Sequence, residues 1–178
     1  GGGACWDLNE LKLIKNTCLE NNLSYHLDGA RIWNAMIKMN QDPKDYGLIF
    51  DSISVCLSKG LGCPSGSVLV GSKDLINRAL RVRKVLGGGM RQVGYLAACG
   101  IYALDNNFSR LSDDHQRALE IEKSLKNLSY IKKVEPVETN IVIFEIDSKV
   151  SSLLFLEKLK DKGIKIISMG DNKLRIVT

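Results

Sequence analysis

Apolar positions at Leu8, Leu11, Ile14, Cys18 and Leu19 recur at helical spacing, which predicts a helix from Asp7 to Asn21. Asp7 followed three residues later by Glu10 is an N-terminal capping pattern, and Asn21-Asn22 ends the period. Leu23 to Leu27 predicts a short strand that breaks at Asp28. Ala30 to Met39 predicts a second helix, stopped near Asp42-Pro43. The next apolar run, Ile53 to Leu57, predicts a strand that breaks at Ser58-Lys59. Two strands joined through a helix form a βαβ unit, so they run parallel and end on the same side. Asp28 and Lys59 are thereby expected to face one crevice, at the rim where open α/β sheets bind ligands.

Gly66 to Gly71 reads as a further strand. The six residues between it and Lys59 are too few for a parallel crossover, so it is expected to run antiparallel to its predecessor. Lys73 to Val85 has the pattern of a basic amphipathic helix, broken by Gly87-Gly88-Gly89. Gln92 to Leu104 is apolar and rich in small residues (Gly94, Ala97, Ala98, Gly100, Ala103), the composition of a helix packed close against a neighbour. From Phe108 the composition shifts. A charged helix over Ser112 to Leu128 is followed by strands near 131–134 and 140–146, with Pro136 in the turn between them. A helix over 150–162 and strands over 164–168 and 173–178 complete the pattern. The expected fold is α/β: a mostly parallel sheet in residues 1–107 and a small α+β domain in residues 108–178.

At 178 residues and 44% hydrophobic, the chain has enough apolar surface for one core or two small ones. The net charge of +5 comes from scattered lysines without a basic block, so nucleic acid is not an expected partner. A mild positive balance does suit an anionic cofactor and an acidic substrate. No apolar run approaches the ~20 residues of a membrane span, and no membrane partner is expected. No signal peptide is visible. Cysteines 5, 18, 56, 63 and 99 contain no C-x-x-C pair, which reads as reduced thiols in a cytoplasmic protein and not as a metal site. The chain opens on three glycines without Met and closes on Lys173 to Thr178, a strand still in progress. Both ends read as cuts.

An acid and a lysine at the ends of two parallel strands are what an enzyme using pyridoxal 5′-phosphate (PLP) requires. The lysine forms a Schiff base with the cofactor, and the acid keeps the pyridine nitrogen protonated. For Lys59 the alternative is an ordinary surface charge, which its place between an apolar strand and Gly60-Leu61-Gly62 makes hard to sustain. Asp28 has the alternative of capping the helix that starts near Ala30. Arg31 falls three residues on, on the same side of the first turn. Ser58 is a candidate for the cofactor phosphate, although Ser before Lys is common in loops. His26 either lines the cofactor or is a core histidine. His115, on a charged helix, is expected to face solvent. Gly87–Gly89 reads as a helix break, because no strand precedes it as a phosphate loop requires.

His26-Leu27-Asp28-Gly29-Ala30-Arg31, Leu57-Ser58-Lys59-Gly60-Leu61-Gly62, Gly66-Ser67-Val68-Leu69-Val70-Gly71, Leu86-Gly87-Gly88-Gly89-Met90-Arg91-Gln92 and Leu174-Arg175-Ile176-Val177-Thr178 occur here in order. In these motifs the chain resembles the low-specificity threonine aldolases, a family of fold-type I PLP enzymes that cleave threonine and allo-threonine to glycine and acetaldehyde. The resemblance implies that Lys59 binds the cofactor covalently and that Asp28 pairs with the pyridine N1–H. It implies that Arg31 contacts the phenolic oxygen, and that Arg91 reaches the cofactor phosphate of a neighbouring subunit. It gives Arg175 the substrate carboxylate and leaves Lys84 near the site without a defined role. The family chain is about twice this length. Its other half carries the phosphate turn and a ring-stacking histidine, so these 178 residues alone are expected to turn over little or no substrate. A homotetramer is also implied. The competing readings are an aminotransferase, a β-eliminating lyase or a non-catalytic fragment. The Asp-x-x-Arg spacing favours the aldolase, because many aminotransferases place Tyr where Arg31 stands.

Overall fold

α1 (Leu8–Glu20) begins where the Asp7 carboxylate accepts the Asn9 amide at 2.7 Å, so one orphan donor of the first turn is satisfied by the residue the sequence supplies there. The computed structural model describes residues 2–170 and 172–178, which form two compact units. Trp6–Leu111 make up one of them. It continues through β1 (His26–Gly29), α2 (Ile32–Met39), α3 (Pro43–Ile49), β2 (Ser52–Cys56), β3 (Ser67–Gly71), α4 (Lys73–Val85) and α5 (Gly94–Asn106). The strands lie in the order β1-β2-β3. β1 and β2 are parallel and β3 is antiparallel to β2, as chain length between the strands requires.

Three local expectations change. β1 starts at His26 and not at Leu23, because the Asp51 carboxylate takes the Tyr25 amide at 2.7 Å. Hydrogen bonds from Lys15 first, and from the Tyr25 amide second, hold the Asp51 carboxyl below its ordinary range. Asp42-Pro43 does not only stop α2. Asp42 accepts the Lys44 amide at 2.8 Å and Pro43 occupies the first turn of α3, a helix the sequence reading passed over. In α5 only Gly100 and Ala103 are buried, so its small residues make one narrow stripe of contact and not a close-packed face. A Cβ on Gly100 would meet Leu57 Cδ1 at 3.1 Å.

Alternation along the sheet sorts its two faces. Ile53 and Val55 join Leu11, Ile32, Met36, Tyr46, Ile49 and Phe50 in one buried cluster under α1, α2 and α3. Leu57, Leu61, Cys63, Ala103 and Leu111 form a second cluster at the loop after β2. β3 is exposed along its whole length, and with α4 and α5 it borders an apolar cleft of about 660 Å³.

Gly29 is the last residue of β1 and is packed against β2. A Cβ there would lie 2.7 Å from the Ser54 carbonyl oxygen and 3.3 Å from Ile32 Cβ. Gly29→Ala is therefore expected to destabilise the protein by about 1–3 kcal/mol, the usual penalty for overpacking. A thermal or urea midpoint indistinguishable from wild type would show that the strand end has slack.

Ser112–Thr178 form the other unit, together with the described N-terminal residues through Cys5. α6 (Leu111–Lys126) opens at the boundary, and β4 (Ile131–Val134), β5 (Ile141–Ile146), α7 (Ser152–Asp161), β6 (Ile167–Ser168) and β7 (Lys173–Val177) follow. The sheet is antiparallel throughout, in the order β4-β5-β7-β6. Val142, Phe144, Ile146 and Leu174 bury one face with Ala118 and Leu125 of α6. His115 is buried at 7% exposure and does not face solvent, which corrects the sequence reading. Its spacing from Leu111 and Ala118 sets it on the inner stripe of α6, whatever the charge of the helix as a whole. The N-terminal residues fall in the other domain by sequence division, but the structure packs them here. Thr139 Oγ1 donates to the Gly3 carbonyl at 2.6 Å, and the Cys5 amide donates to Glu138 Oε2 at 2.8 Å.

Candidate active site

The register of the parallel pair sets Asp28 opposite Ser54 and Gly29 opposite Val55. Cys56 closes β2, and Ser58 and Lys59 follow at the same edge of the sheet, both exposed. Among the described residues the Asp28 carboxylate accepts only the Ala30 amide, at 3.1 Å, two residues along its own turn. It does not cap α2, whose N-cap is Arg31 with no side-chain cap bond. The alternative reading of Asp28 as a helix cap therefore falls, and its remaining acceptor capacity points outward. Lys59 makes no ion pair or side-chain hydrogen bond among the described residues. An exposed amine and an exposed carboxylate thus stand at the ends of adjacent strands.

His26 is exposed and not a core histidine. Its Nδ1 lies 2.8 Å from Ser52 Oγ across the β1–β2 pair, on the face that also carries Asp28. Arg31 is half-buried at the start of α2. The loop after Lys59 is closed by its own backbone: the Gly62 amide donates to the Lys59 carbonyl at 2.7 Å, with Gly62 at φ +77°. Burial, and secondarily the Cys99 thiol, push the Cys63 thiol pKa up, and the protonated thiol donates to the Cys99 carbonyl at 3.5 Å.

Lys84 lies exposed in the last turn of α4. Gly87 at φ +81° then reverses the chain, and the Gly88 amide returns to the Arg83 carbonyl at 2.8 Å. That is a helix C-cap, so the glycine run ends α4 as its sequence suggests. Arg91 is exposed in the turn that follows. In the other unit, Arg175 stands in β7 between Ile143 of β5 and Ile167 of β6. Its Nε is buried and has no hydrogen-bond partner among the described residues.

Two side chains that the sequence reading did not single out reach the lysine loop. Trp33 Nε1 donates to the Cys56 carbonyl at 2.9 Å, and Asn107 Nδ2 donates to the Leu61 carbonyl at 2.8 Å. They are 23 and 46 residues distant from their acceptors, and no local pattern signals such contacts.

A parallel pair with acid and lysine at its rim, an antiparallel strand beside it and a separate antiparallel α+β unit define the fold-type I class. A solved structure of Leishmania major threonine aldolase matches 99% of this chain and 52% of its own, with a TM-score of 0.74 at 19% identity. At that identity the likeness establishes the fold alone.

The chain belongs to the beta-eliminating lyase family, whose model matches residues 1–149. The low specificity L-threonine aldolase of Escherichia coli strain K12 is 45% identical over 147 residues, covering 83% of this chain and 43% of the relative. Low-specificity L-threonine aldolase 1 of Arabidopsis thaliana is 36% identical over 179 residues, covering 99% and 50%. The chain spans about half the length of the curated relatives it matches.

Proposed function

We propose that the full-length protein is a PLP-dependent aldehyde-lyase that cleaves L-threonine and L-allo-threonine to glycine and acetaldehyde. The observation that carries this reading is that Asp28 and Lys59 stand at the C-terminal ends of two adjacent parallel strands, in a chain 45% identical over 147 residues to a threonine aldolase. The donor set fits PLP: an amine without a partner among the described residues for the aldehyde, a carboxylate with open acceptor capacity for the ring N–H, and hydroxyl and guanidinium groups for anionic oxygens. When bound, PLP supplies an electron sink for the pair released as the substrate's Cα–Cβ bond breaks.

Lys59 holds the cofactor covalently through its amine. Asp28 accepts the ring N–H and keeps that proton in place, so the ring stays cationic. Arg31 neutralises the phenolic oxygen, and Ser58 and Arg91 take the phosphate, Arg91 from a neighbouring subunit of a homo-oligomer. Lys84 and His26 stand as further candidates around the cofactor. Arg175 pairs with the substrate carboxylate and orients the scissile bond. The scattered cysteines suit a reducing, cytoplasmic compartment. Among the described residues no helix is long and apolar enough to cross a membrane.

A second reading, β-elimination, is favoured by the family match itself. Product analysis separates the two. Full-length protein with PLP and L-threonine is expected to release glycine and acetaldehyde in equal amounts. Ammonia with a 2-oxo acid would overturn the aldolase and establish elimination.

A further inference from the structure

The loop that carries Lys59 is gripped on both sides of the lysine. Trp33, in the helix that follows Asp28 and Arg31, donates its indole N–H to the carbonyl of Cys56, three residues before Lys59, at 2.9 Å. Asn107, the residue that ends α5, donates its amide to the carbonyl of Leu61, two residues after Lys59, at 2.8 Å. Between these points the Cys63 amide donates to the Leu57 carbonyl at 3.2 Å, and the Leu57 amide donates to the Gly66 carbonyl at 3.0 Å. Leu57 and Leu61 are buried at 8% and 1% exposure, while Ser58 and Lys59 between them are exposed.

Burial of the two leucines fixes how deep the loop sits. It does not fix how the loop is rotated about the line joining them, because the hydrophobic effect has no direction. Hydrogen bonds do have direction and weaken steeply when bent. One side-chain bond on each side of Lys59, added to the backbone bonds from the Gly62 amide to Lys59 and from the Cys63 amide to Leu57, therefore ties the loop's rotation, and with it the heading of the amine, to α2 and the end of α5. The segments that carry the two anchors also touch. The Trp33 ring meets Phe108, the neighbour of Asn107, edge to face at 5.9 Å and 87°.

We infer that Trp33 and Asn107 are positioning residues for Lys59, clamping the carbonyls that flank it so that the amine keeps its place relative to Asp28. The inference rests on the reading of Lys59 as the cofactor-binding lysine. Its rival is that both bonds only satisfy buried carbonyls, in which case their loss lowers stability and does nothing else.

The test uses the full-length protein with Trp33→Phe, which keeps an aromatic ring and removes the N–H, and Asn107→Leu, which keeps the volume and removes the amide. Tyr46→Phe is the control. It removes the 2.6 Å bond from Tyr46 Oη to Gln41 Oε1, in the same unit but away from the loop. In cofactor-free protein, amide exchange at Gly62 and Cys63 is expected to quicken about tenfold in the two loop variants, as local opening becomes easier, and to stay unchanged in the control. In PLP-loaded protein, the pH midpoint of the visible absorption should move and kcat should fall about tenfold, with KM within about twofold. Unchanged exchange overturns the clamp. Faster exchange with midpoint and kcat matching the control shows a structural role only and also overturns it. A wild type without lysine-linked absorption overturns the reading of Lys59 itself, and the inference with it.

Discussion

Lys59→Ala is expected to abolish threonine cleavage in the full-length protein, with a fall of at least ~10³-fold in kcat, as when an enzyme loses the nucleophile on which its other groups depend. The fold should be untouched. Lys59 is exposed and makes no ion pair among the described residues, and substitutions at such positions shift stability by less than about 0.5 kcal/mol. In cofactor-free protein the thermal midpoint should therefore stay with wild type, while turnover disappears. Borohydride reduction of the PLP-loaded wild type should fix the cofactor to the peptide bearing Lys59. Lys73 and Lys84 serve as internal competitors, since both are exposed on α4. Label on either of them, or a Lys59→Ala protein with near-normal turnover, would overturn the site.

That Asp28 and Lys59 share an edge was legible because it follows from chain length and handedness. Two apolar runs joined through helical chain form a βαβ unit, and β1 and β2 do run parallel and end on the same side. The direction of β3 was legible for the same reason: the connection is too short for anything but an antiparallel return. α4 was legible to the residue, since its amphipathic pattern runs from Lys73 to Val85 and Gly87, at φ +81°, closes it. Signals that serve two elements were harder. Asp42-Pro43 ends one helix and starts the next, and only the first role was read. His115 was misplaced because helix charge was weighed above the position of one residue on the inner stripe. The start of β1 depended on a side chain 26 residues away, Asp51, capturing the Tyr25 amide. The clamp of Trp33 and Asn107 on the lysine loop has no local signature, because both acceptors are backbone carbonyls that any residue carries.

Arg175→Lys is expected to leave the spectrum of the PLP-loaded protein unchanged and to lower kcat/KM for threonine about a hundredfold. The environment of Arg175 supplies the reason. A buried donor without a partner ordinarily costs about 1–3 kcal/mol, yet Arg175 Nε stands in that condition among the described residues, in the middle of a paired strand. A guanidinium held there against stability suits an anion that arrives from outside the chain. Lysine keeps the charge and loses the planar fork, so attraction survives and orientation does not. Loss of a charge-assisted bidentate pair amounts to about 2–3 kcal/mol, or on the order of a hundredfold at ~1.4 kcal/mol per factor of ten. The thermal midpoint should not fall, because among the described residues the substitution removes an unsatisfied donor and no side-chain bond. Threonine should then be compared with the amino alcohol that lacks its carboxylate. If Arg175 holds the carboxylate, wild type should discriminate strongly between them and Arg175→Lys weakly. Equal discrimination by the two proteins would show that Arg175 is not the clamp and would leave its buried Nε to a purely structural explanation.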